Sequence, residues 1–306
     1  MTQSPLLFLI FNRHDTTLTV FEKIRQYRPA KLYIAADGAR ENVWGEKEKC
    51  EDLKTKLLAS VDWPCEVKTL FRTTNLGCKI AISSAIDWFF EHEEMGIILE
   101  DDCLPNPSFF VFCNTLLLQY KDDERIMQIS GNNFQFGKTW GEASYYFSNY
   151  SHIWGWATWR RAWKLNSLSQ ELYEEFLKSN QINYLFHTSG ERSFWLDHFK
   201  KVYNNKIDTW DAQWQISTWM QHGLCVLPNI NLVTNIGFNA SASRTKDASN
   251  KLANLKAKEL DEKIRHPAHV INNYMADLNT YHKAYKFSLK ARLFLGFISL
   301  KNKLFN

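Results

Sequence analysis

Short apolar runs alternate with helical patterns over the first hundred residues of the chain. The run at 5–11 is apolar along its whole length, as expected for a strand that is buried on both faces. The predicted order is strand 5–11, helix 16–28, strand 31–36, helix 46–60, strand 65–71, helix 78–92 and strand 96–99. Such alternation predicts an α/β fold, in which a mostly parallel central sheet is flanked by helices.

The pattern is less regular beyond Pro105. Apolar residues over 167–223 predict a helical insertion, and the small polar residues of 239–250 predict a loop. The remaining predicted elements are a helix at 107–120 and strands at 126–130, 224–227 and 231–233. Since no repeat or low-complexity linker separates the two parts, we expect them to share one core.

Polar residues follow each of the four predicted strands of the first part. They are Asn12 and Arg13, Asp37 and Gly38, Arg72, and the triplet Glu100-Asp101-Asp102. Parallel sheets bind ligands in the crevice beyond the carboxyl ends of their strands. We therefore expect the functional site at this edge of the sheet.

The triplet Glu100-Asp101-Asp102 is the first candidate for chemistry. Three carboxylates at the end of a buried strand repel one another, and desolvation adds to this cost. A magnesium or manganese ion relieves both, since hard cations take one or two carboxylates as ligands and complete their shell with substrate phosphates. The alternative is an acidic turn in solvent, but the apolar strand before the triplet favours the metal–phosphate site.

Arg13 and Asp37 are the second candidates. A guanidinium offers a fork of donors to a phosphate, and a carboxylate at a strand end accepts hydrogen bonds from a nucleobase or ribose. An Asp-Gly pair is also a common turn. The turn Asn75-Leu76-Gly77 and the following Lys79 have the same two interpretations, a ligand contact or an ordinary loop before a helix.

An aromatic segment at 145–163 and an acidic segment at 208–214 complete the candidates. Sugars stack on tryptophan rings, and Gly155 between Trp154 and Trp156 lets a ligand approach the backbone. Core packing is the alternative for these rings. Asp211 is expected at a helix N-terminus, where it serves either as the N-cap or as a general base on an acceptor hydroxyl.

Composition limits the class of protein. The 306 residues carry 37 Lys and Arg against 33 Asp and Glu, and residues 278–306 hold six of these bases and no acid. The rest of the chain is therefore slightly acidic, which argues against a nucleic-acid-binding protein. The six cysteines form no CxxC pair, which is typical of reduced thiols in a cytosolic protein. The apolar run at 5–11 is too short for a signal peptide, and no stretch reaches the ~20 apolar residues of a membrane span.

The bases near the C-terminus form a pattern of their own. Leu289, Leu293, Phe297, Leu300 and Leu304 recur at helical spacing among them, which predicts a basic amphipathic tail at 283–306. A helix on an anionic membrane surface has this pattern, and each base there contributes about 1 kcal/mol. A helix docked on the body or in a dimer contact has it too. We expect a cytoplasmic protein and leave peripheral contact with the inner membrane face open.

Eight segments, taken in order, resemble a bacterial family of nucleotide-diphospho-sugar transferases with the GT-A fold. They are IFNR, AADGAR, NLGCKIAISSAIDWFF, GIILEDDCLPNPSFF, QISGNNFQ, HIWGWATWRRAW, DTWDAQW and NLVTNIGF. The chain is similar, more distantly, to eukaryotic N-acetylglucosaminyltransferase I. The resemblance implies a Rossmann-like GT-A catalytic domain at 1–240, with a nucleotide-binding half at 1–103 and an acceptor half at 104–240. A loop and helix at 241–282 and the tail at 283–306 follow.

The resemblance also implies an activity. It is the transfer of a sugar from a nucleotide donor to a hydroxyl of a glycan or lipid-linked acceptor. The resemblance implies that the donor is a UDP-sugar. By position, Asp102 ligates a manganese or magnesium ion and Asp211 is the base of an inverting displacement, with Asp197 as the alternative base. The implied donor-binding residues are Phe11, Asn12, Arg13, Asp37, Gly38, Arg72, Asn75, Gly77, Lys79, Glu100 and Asp101. The implied acceptor-binding residues are Asn132, Asn133, Trp154, Gly155 and Trp156.

One part of the family pattern is missing. Many GT-A enzymes have a C-terminal histidine as a further metal ligand, and this chain has no histidine between Asn235 and His266. Either water completes the metal shell, or Arg244 offsets the charge of the leaving group. Two other classes of protein stay open on the sequence: a metal-dependent phosphodiesterase or pyrophosphatase, and a non-catalytic sugar-binding module.

Overall fold

A mixed eight-stranded sheet forms the centre of the molecule in this computed structural model, which describes residues 3–186, 188–238, 250–253, 255–261 and 263–285. The strands are β1 (Leu6–Ile10), β2 (Lys31–Ala36), β3 (Glu66–Phe71), β4 (Met95–Glu100), β5 (Cys103–Pro105), β6 (Ile126–Ser130), β7 (Tyr145–Ser148), β8 (Trp156–Trp159), β9 (Leu224–Pro228) and β10 (Val233–Asn235). The helices are α1 (His14–Tyr27), α2 (Glu46–Ala59), α3 (Gly77–His92), α4 (Pro107–Gln119), α5 (Arg160–Trp163), α6 (Gln170–Lys178), α7 (Ser189–Tyr203), α8 (Asp211–Met220) and α9 (Tyr274–Thr280).

The strand order of the central sheet is β3-β2-β1-β4-β8-β6-β9-β7, and β5 pairs with β10 in a separate small sheet. The strands β3, β2, β1 and β4 are parallel to one another. β8 is antiparallel to both of its neighbours, β9 is parallel to β6, and β7 is antiparallel to β9. Six of these eight strands therefore run in one direction. The predicted α/β class, with a mostly parallel central sheet and flanking helices, is confirmed.

The first strand shows why an apolar run becomes a central strand. All five residues of β1 are buried, and successive side chains of a strand point to opposite faces of its sheet. Leu6, Phe8 and Ile10 join the apolar cluster that also contains residues of α1, α2 and α4. Leu7 and Leu9 join the cluster on the other face, with residues of α3. A strand between two helical layers needs apolar residues at every position, as 5–11 has.

Local signals set the ends of the flanking helices. Arg28 has a positive φ of 55° at the C-terminus of α1, and its N–H donates to Ile24 O at 2.9 Å before Pro29 leads the chain away. At the start of α4, Asn106 accepts from the Ser108 N–H and Pro107 occupies the first turn. These ends agree with the predicted ones to within two residues.

The helical insertion predicted at 167–223 contains α6, α7 and α8. These helices pack around a third apolar cluster, in which Trp195, Phe199 and Trp219 are buried. Tyr173 of α6 and Tyr203 of α7 stack with their ring centroids 3.8 Å apart. The insertion thus has its own core against one end of the sheet.

Three expectations about elements need correction or lie outside the description. The aromatic segment at 145–163, for which the sequence predicts no element, contains strands β7 and β8 and helix α5. The strand expected at 231–233 is β10, which begins at Val233. The loop residues 239–249 and the tail residues 286–306 lie outside the described residues, so the amphipathic tail stays a prediction. Within the described parts of the chain, no helix is both long enough and apolar enough to cross a bilayer.

Candidate functional site

A cavity of about 630 Å³ opens at the carboxyl ends of β1, β2, β3 and β4. We call it the strand-end cavity. It is lined by Leu9, Ile10, Phe11, Arg13, Ala35, Ala36, Asp37, Arg40, Arg72, Asn75, Gly77, Cys78, Ala81, Ile82, Ala85, Glu100, Asp101, Lys206, Ile207 and Asp208. β1 lies between β2 and β4, so the strand order reverses at this point. Open α/β sheets bind their ligands at such a switch point.

Small side chains leave the space for the strand-end cavity. Ala35 and Ala36 end β2, and Ala81 and Ala85 lie one turn apart on α3, so they share a face of the helix. All four line the cavity, where longer side chains would fill it. The result is an apolar floor below a polar rim.

Arg13 pairs with two carboxylates of the acidic triplet. Its guanidinium forms a short ion pair with Asp101, and its Nη1 donates to Asp102 Oδ2 at 2.9 Å. Burial raises the pKa of Asp101 to about 6; the charge of Arg13 opposes this rise, and that of Asp102 adds to it. Burial alone would lower the pKa of Arg13, but the two carboxylates outweigh it and raise that pKa. The guanidinium of Arg13 thus forms ion pairs with two neighbouring carboxylates.

Asp37 organises the loop on the far side of the cavity. Its carboxylate accepts from the Leu76 N–H at 3.0 Å, from the Gly77 N–H at 3.1 Å and from Asn75 Nδ2 at 3.0 Å. The side chain predicted to bind a base is therefore already engaged in hydrogen bonds with the protein. It fixes Asn75 and Gly77 as lining residues, and its part in ligand recognition stays a prediction.

Asp102 is the predicted metal ligand. Besides the bond from Arg13, its carboxylate lies 3.4 Å from Asn235 Nδ2 and 3.5 Å from Cys103 Sγ. Among the residues that the structure describes, no group of three or more His, Cys, Asp or Glu could hold a metal ion. Magnesium at phosphate sites needs only one or two carboxylates, because phosphates and water supply the other oxygens. A cation at Asp102 would therefore have to arrive with a diphosphate. Asp102 itself is not among the lining residues of the strand-end cavity, and its metal site stays a prediction.

The structure brings most of the predicted donor-binding residues together. Eight line the strand-end cavity: Phe11, Arg13, Asp37, Arg72, Asn75, Gly77, Glu100 and Asp101. The other three make contacts within the protein. Asn12 Nδ2 donates to Glu46 at 2.7 Å, Lys79 Nζ donates to Asn205 Oδ1 at 3.2 Å, and Gly38 packs so tightly on the Thr74 backbone that a Cβ would collide with it.

The prediction that Trp156 and Gly155 bind the acceptor needs correction. The Trp156 ring is fully buried and packs against Trp163, Trp210 and Trp214, so it has no face for a sugar. Gly155 has a φ of +66°, and a Cβ there would lie 2.8 Å from Val233 Cγ2. Protein packing, and not the approach of a ligand, requires this glycine.

Asn132 and Asn133 are buried and also require correction. Asn132 Oδ1 accepts from the Trp154 N–H at 3.1 Å, and Asn133 Nδ2 donates to the Pro228 carbonyl at 2.6 Å. Their side chains hold loops in place. Trp154 is only half-buried, with its ring edge-on to Phe134 and to Phe238, and its acceptor contact stays a prediction.

Asp211 is the first residue of α8, and the N-cap position belongs to Trp210. Its carboxylate accepts from the Thr209 hydroxyl. Burial lowers the pKa of His198, and the nearby charge of Asp211 opposes this shift. Asp211 lies three residues after Asp208 of the cavity lining, so their Cα atoms are at most about 11 Å apart, but Asp211 itself does not line the cavity. The alternative base, Asp197, forms an exposed ion pair with Lys201 at 2.6 Å.

Sequence reasoning missed several lining residues. Arg40 lies over the Phe11 ring at 5.6 Å and pairs with the buried Glu46; its place three residues after Asp37 in the AADGAR segment was an available signal. Lys206, Ile207 and Asp208 reach the cavity from the helical insertion. No local pattern indicates that contact, because it depends on how the insertion packs on α3.

Comparison with known proteins leaves the family open. No family model matches the chain, and no curated protein sequence matches it. Among solved structures, it is similar to HddC from Yersinia pseudotuberculosis, with 9% identity over 52% of this chain and 77% of that one and a TM-score of 0.33. It is similar to 4-diphosphocytidyl-2C-methyl-D-erythritol synthase from Anaerococcus prevotii, with 8% identity over 71% and 99% and a TM-score of 0.31. A UDP-glucose pyrophosphorylase complexed with UDP-glucose has 13% identity over 53% and 78% and a TM-score of 0.33. Scores this low decide no activity, so function has to be argued from the site.

Proposed function

We propose that the protein is a glycosyltransferase whose strand-end cavity binds a nucleotide-diphospho-sugar. The observation that carries the proposal is the convergence of Arg13, Asp37, Arg72, Glu100 and Asp101, from four strand ends, on one cavity. Its volume of about 630 Å³ lies within the range of about 300–1,000 Å³ that is usual for small-molecule sites.

The lining matches the parts of such a donor. The apolar floor of alanines suits a flat base, because alanine side chains bring no polar groups that would be left unpaired. Arg13, Arg40, Arg72 and Lys206 supply positive charge around the rim. Guanidinium groups bind phosphates through paired hydrogen bonds. The base belongs on the floor and the diphosphate at the rim near Asp102.

Asp102 would hold the divalent cation, together with the donor's own phosphate oxygens. When bound, such a cation neutralises charge on the departing diphosphate. Arg13, which is already beside Asp101 and Asp102, offers donors to the same phosphates. This arrangement accounts for an arginine after β1 beside the carboxylates that follow the neighbouring strand β4.

Asp211 would act as the base of an inverting transfer. It takes the proton of the acceptor hydroxyl while the acceptor oxygen attacks the anomeric carbon. The bond from that carbon to the diphosphate breaks, and its electron pair leaves on the diphosphate oxygen. The acceptor is a hydroxyl of a glycan or a lipid-linked sugar, and the nucleotide is UDP by the family resemblance.

The donor site is tested by thermal unfolding with a panel of nucleotide-sugars, with and without manganese. A donor at 100 times its Kd should add about 2.7 kcal/mol to the free energy of unfolding. Asp102→Asn should lose the manganese-dependent part of the shift. Asp122→Asn, at a carboxylate that is 86% exposed, is the matched control and should keep it. No shift with any nucleotide-sugar, or an unchanged shift in Asp102→Asn, would contradict the proposal.

The reaction is tested by product analysis with the donor that binds. A transferase releases a nucleoside diphosphate, whereas a pyrophosphatase releases a nucleoside monophosphate and a sugar phosphate. Asp211→Asn should leave the thermal shift unchanged and lower transfer by about 10²–10⁴-fold, the usual contribution of a general base. Full transfer by this variant would remove Asp211 from the mechanism.

A further inference from the structure

The loop between α7 and α8, residues 204–210, reaches from the helical insertion to the strand-end cavity. Lys206, Ile207 and Asp208 line the cavity, although they lie more than a hundred residues from the other lining residues in sequence. Among the described residues of the second half of the chain, those of this α7–α8 loop line the cavity, and the loop forms one of its walls.

Asp208 ties the α7–α8 loop to α3. Its carboxylate accepts from the Cys78 N–H at 2.9 Å and from the Lys79 N–H at 3.1 Å, in the first turn of the helix. The first N–H groups of a helix lack partners within it, and a carboxylate there also interacts favourably with the helix dipole. Lys79 Nζ adds a second tie by donating to Asn205 Oδ1 at 3.2 Å.

The other end of the loop is fixed in the core. Trp210 is 1% exposed and stacks on Trp156 at a centroid distance of 5.5 Å. A wall anchored at both ends is in place before a ligand arrives, so binding does not have to order it. Lys206 lies between the anchors, and it is the cation that the insertion adds to three arginines from the first half.

We propose that the α7–α8 loop is a specificity wall for the diphosphate of the donor. Lys206 contacts a phosphate of the bound nucleoside diphosphate, and Asp208 is the positioning residue that holds Ile207 and Lys206 against α3. The inference rests on the proposed function, because it takes a nucleoside diphosphate as the ligand of the cavity. It adds a charged contact from outside the nucleotide-binding half.

The test compares affinities for a nucleoside diphosphate and for the same nucleoside without phosphates, by calorimetric titration of the full chain with manganese. Lys206→Ala should weaken diphosphate binding by about tenfold, as expected for the loss of a hydrogen bond between charged groups, and leave nucleoside binding unchanged. Lys178→Ala, which removes an 80% exposed lysine on α6, is the control and should change neither affinity.

Asp208→Ala should weaken binding of both ligands and speed hydrogen exchange at the amides of Cys78 and Lys79. Asp208→Asn keeps an acceptor oxygen and should restore most of the affinity. Ser169→Ala removes the hydroxyl that accepts from the Leu172 N–H at the start of α6, so it should lower stability and leave both affinities unchanged. A general loss of stability would therefore not imitate the expected result.

The outcomes separate this inference from the proposed function. If the protein binds a nucleoside diphosphate and Lys206→Ala binds it equally well, the specificity wall is wrong and the donor site stands. If Asp208→Ala and Asp208→Asn both bind like the unaltered chain, the positioning role is wrong. If no nucleotide binds the unaltered chain, the proposed function fails and the inference fails with it.

Discussion

Two parts of the central sheet, at β2 and at β8, differ in how side chains fill the layer on one face of the sheet. Beside β2, the small Ala35 and Ala85 border the strand-end cavity. Beside β8, in the same apolar cluster, Trp156, Trp210 and Trp214 are buried, and the Trp156 ring packs against the other two. The same apolar cluster thus has small residues beside the strand-end cavity at β2 and large packed rings at β8.

Polar residues at the strand ends follow the same division. Arg13, Arg72 and Glu100 line the cavity in the first half, whereas Asn132 and Asn133 in the second half are buried among loops that they stabilise. A polar residue after a strand is therefore not by itself a sign of a ligand. It becomes one where neighbouring small residues leave room, and this division predicts opposite effects of substitution in the two halves.

Trp156→Ala should have the largest effect on stability. A fully buried tryptophan in a packed cluster costs about 3–5 kcal/mol when it is truncated, because the cavity left behind collapses only partly. Urea denaturation measures this loss. Tyr184→Ala, at a side chain that is 85% exposed, should change the free energy of unfolding by less than about 0.5 kcal/mol. A stable Trp156→Ala protein that has lost only sugar binding would restore the original ligand-contact interpretation.

Asn133→Ala should have the next largest effect. It leaves the Pro228 carbonyl and the Gln135 N–H without the partners that Asn133 supplies, and an unsatisfied buried group costs about 1–3 kcal/mol. The same denaturation assay applies, with Asn183→Ala as the control, because the half-buried Asn183 donates only a solvent-exposed hydrogen bond to Asn180. If Asn133→Ala left stability intact, the second half would be less tightly packed than the contacts indicate.

The predictions made from the sequence also differ in outcome between the two halves of the chain. The strands β1, β2 and β4 were predictable because buried parallel strands need continuous apolar runs, and β3 because its apolar and polar residues alternate. The polar ends were predictable because the carboxyl ends of these strands meet at one edge. Trp156 and Asn133 were misinterpreted, since a ring or an amide in a motif looks the same in a cleft and in a core. Asp208 was missed as a lining residue because its contact with α3 spans about 130 residues of chain.

Asp277 gives the second half a pH dependence of stability. Its carboxylate is buried beside Ser148 and Asn149, and burial raises its pKa from 3.8 to about 7, against the hydrogen bonds that favour its charged form. Between pH 4 and 7 the unfolded chain gives up this proton while the folded chain keeps it, so stability should fall as pH rises through this window. Above pH 7 this contribution should level off.

Asp277→Asn tests the source of this dependence. The amide has no proton to lose, so the variant's melting temperature should fall less than that of the unaltered chain between pH 5 and 7. Asp261→Asn, in an exposed ion pair with Arg265, is the control and should follow the unaltered chain. Equal pH profiles for the unaltered chain and Asp277→Asn would show that another group titrates in this range.

Arg72→Ala should have the smallest effect on stability. It tests the first half of the chain, where a polar residue at a strand end is expected to bind a ligand and not to stabilise the core. Arg72 lines the cavity and donates to Ser84 Oγ at 2.7 Å, a partly buried hydrogen bond whose loss should cost about 1 kcal/mol or less. Its guanidinium faces the space assigned to the donor, so affinity for a nucleoside diphosphate should fall about tenfold. Arg125→Ala, at a side chain that is 62% exposed and pairs with Asp123, should leave that affinity unchanged. The contrary outcome is that Arg72→Ala destabilises the protein as much as Asn133→Ala and binds the nucleotide normally. The polar residues at the strand ends of both halves would then stabilise the core, and the proposal that the cavity binds a nucleotide would be contradicted.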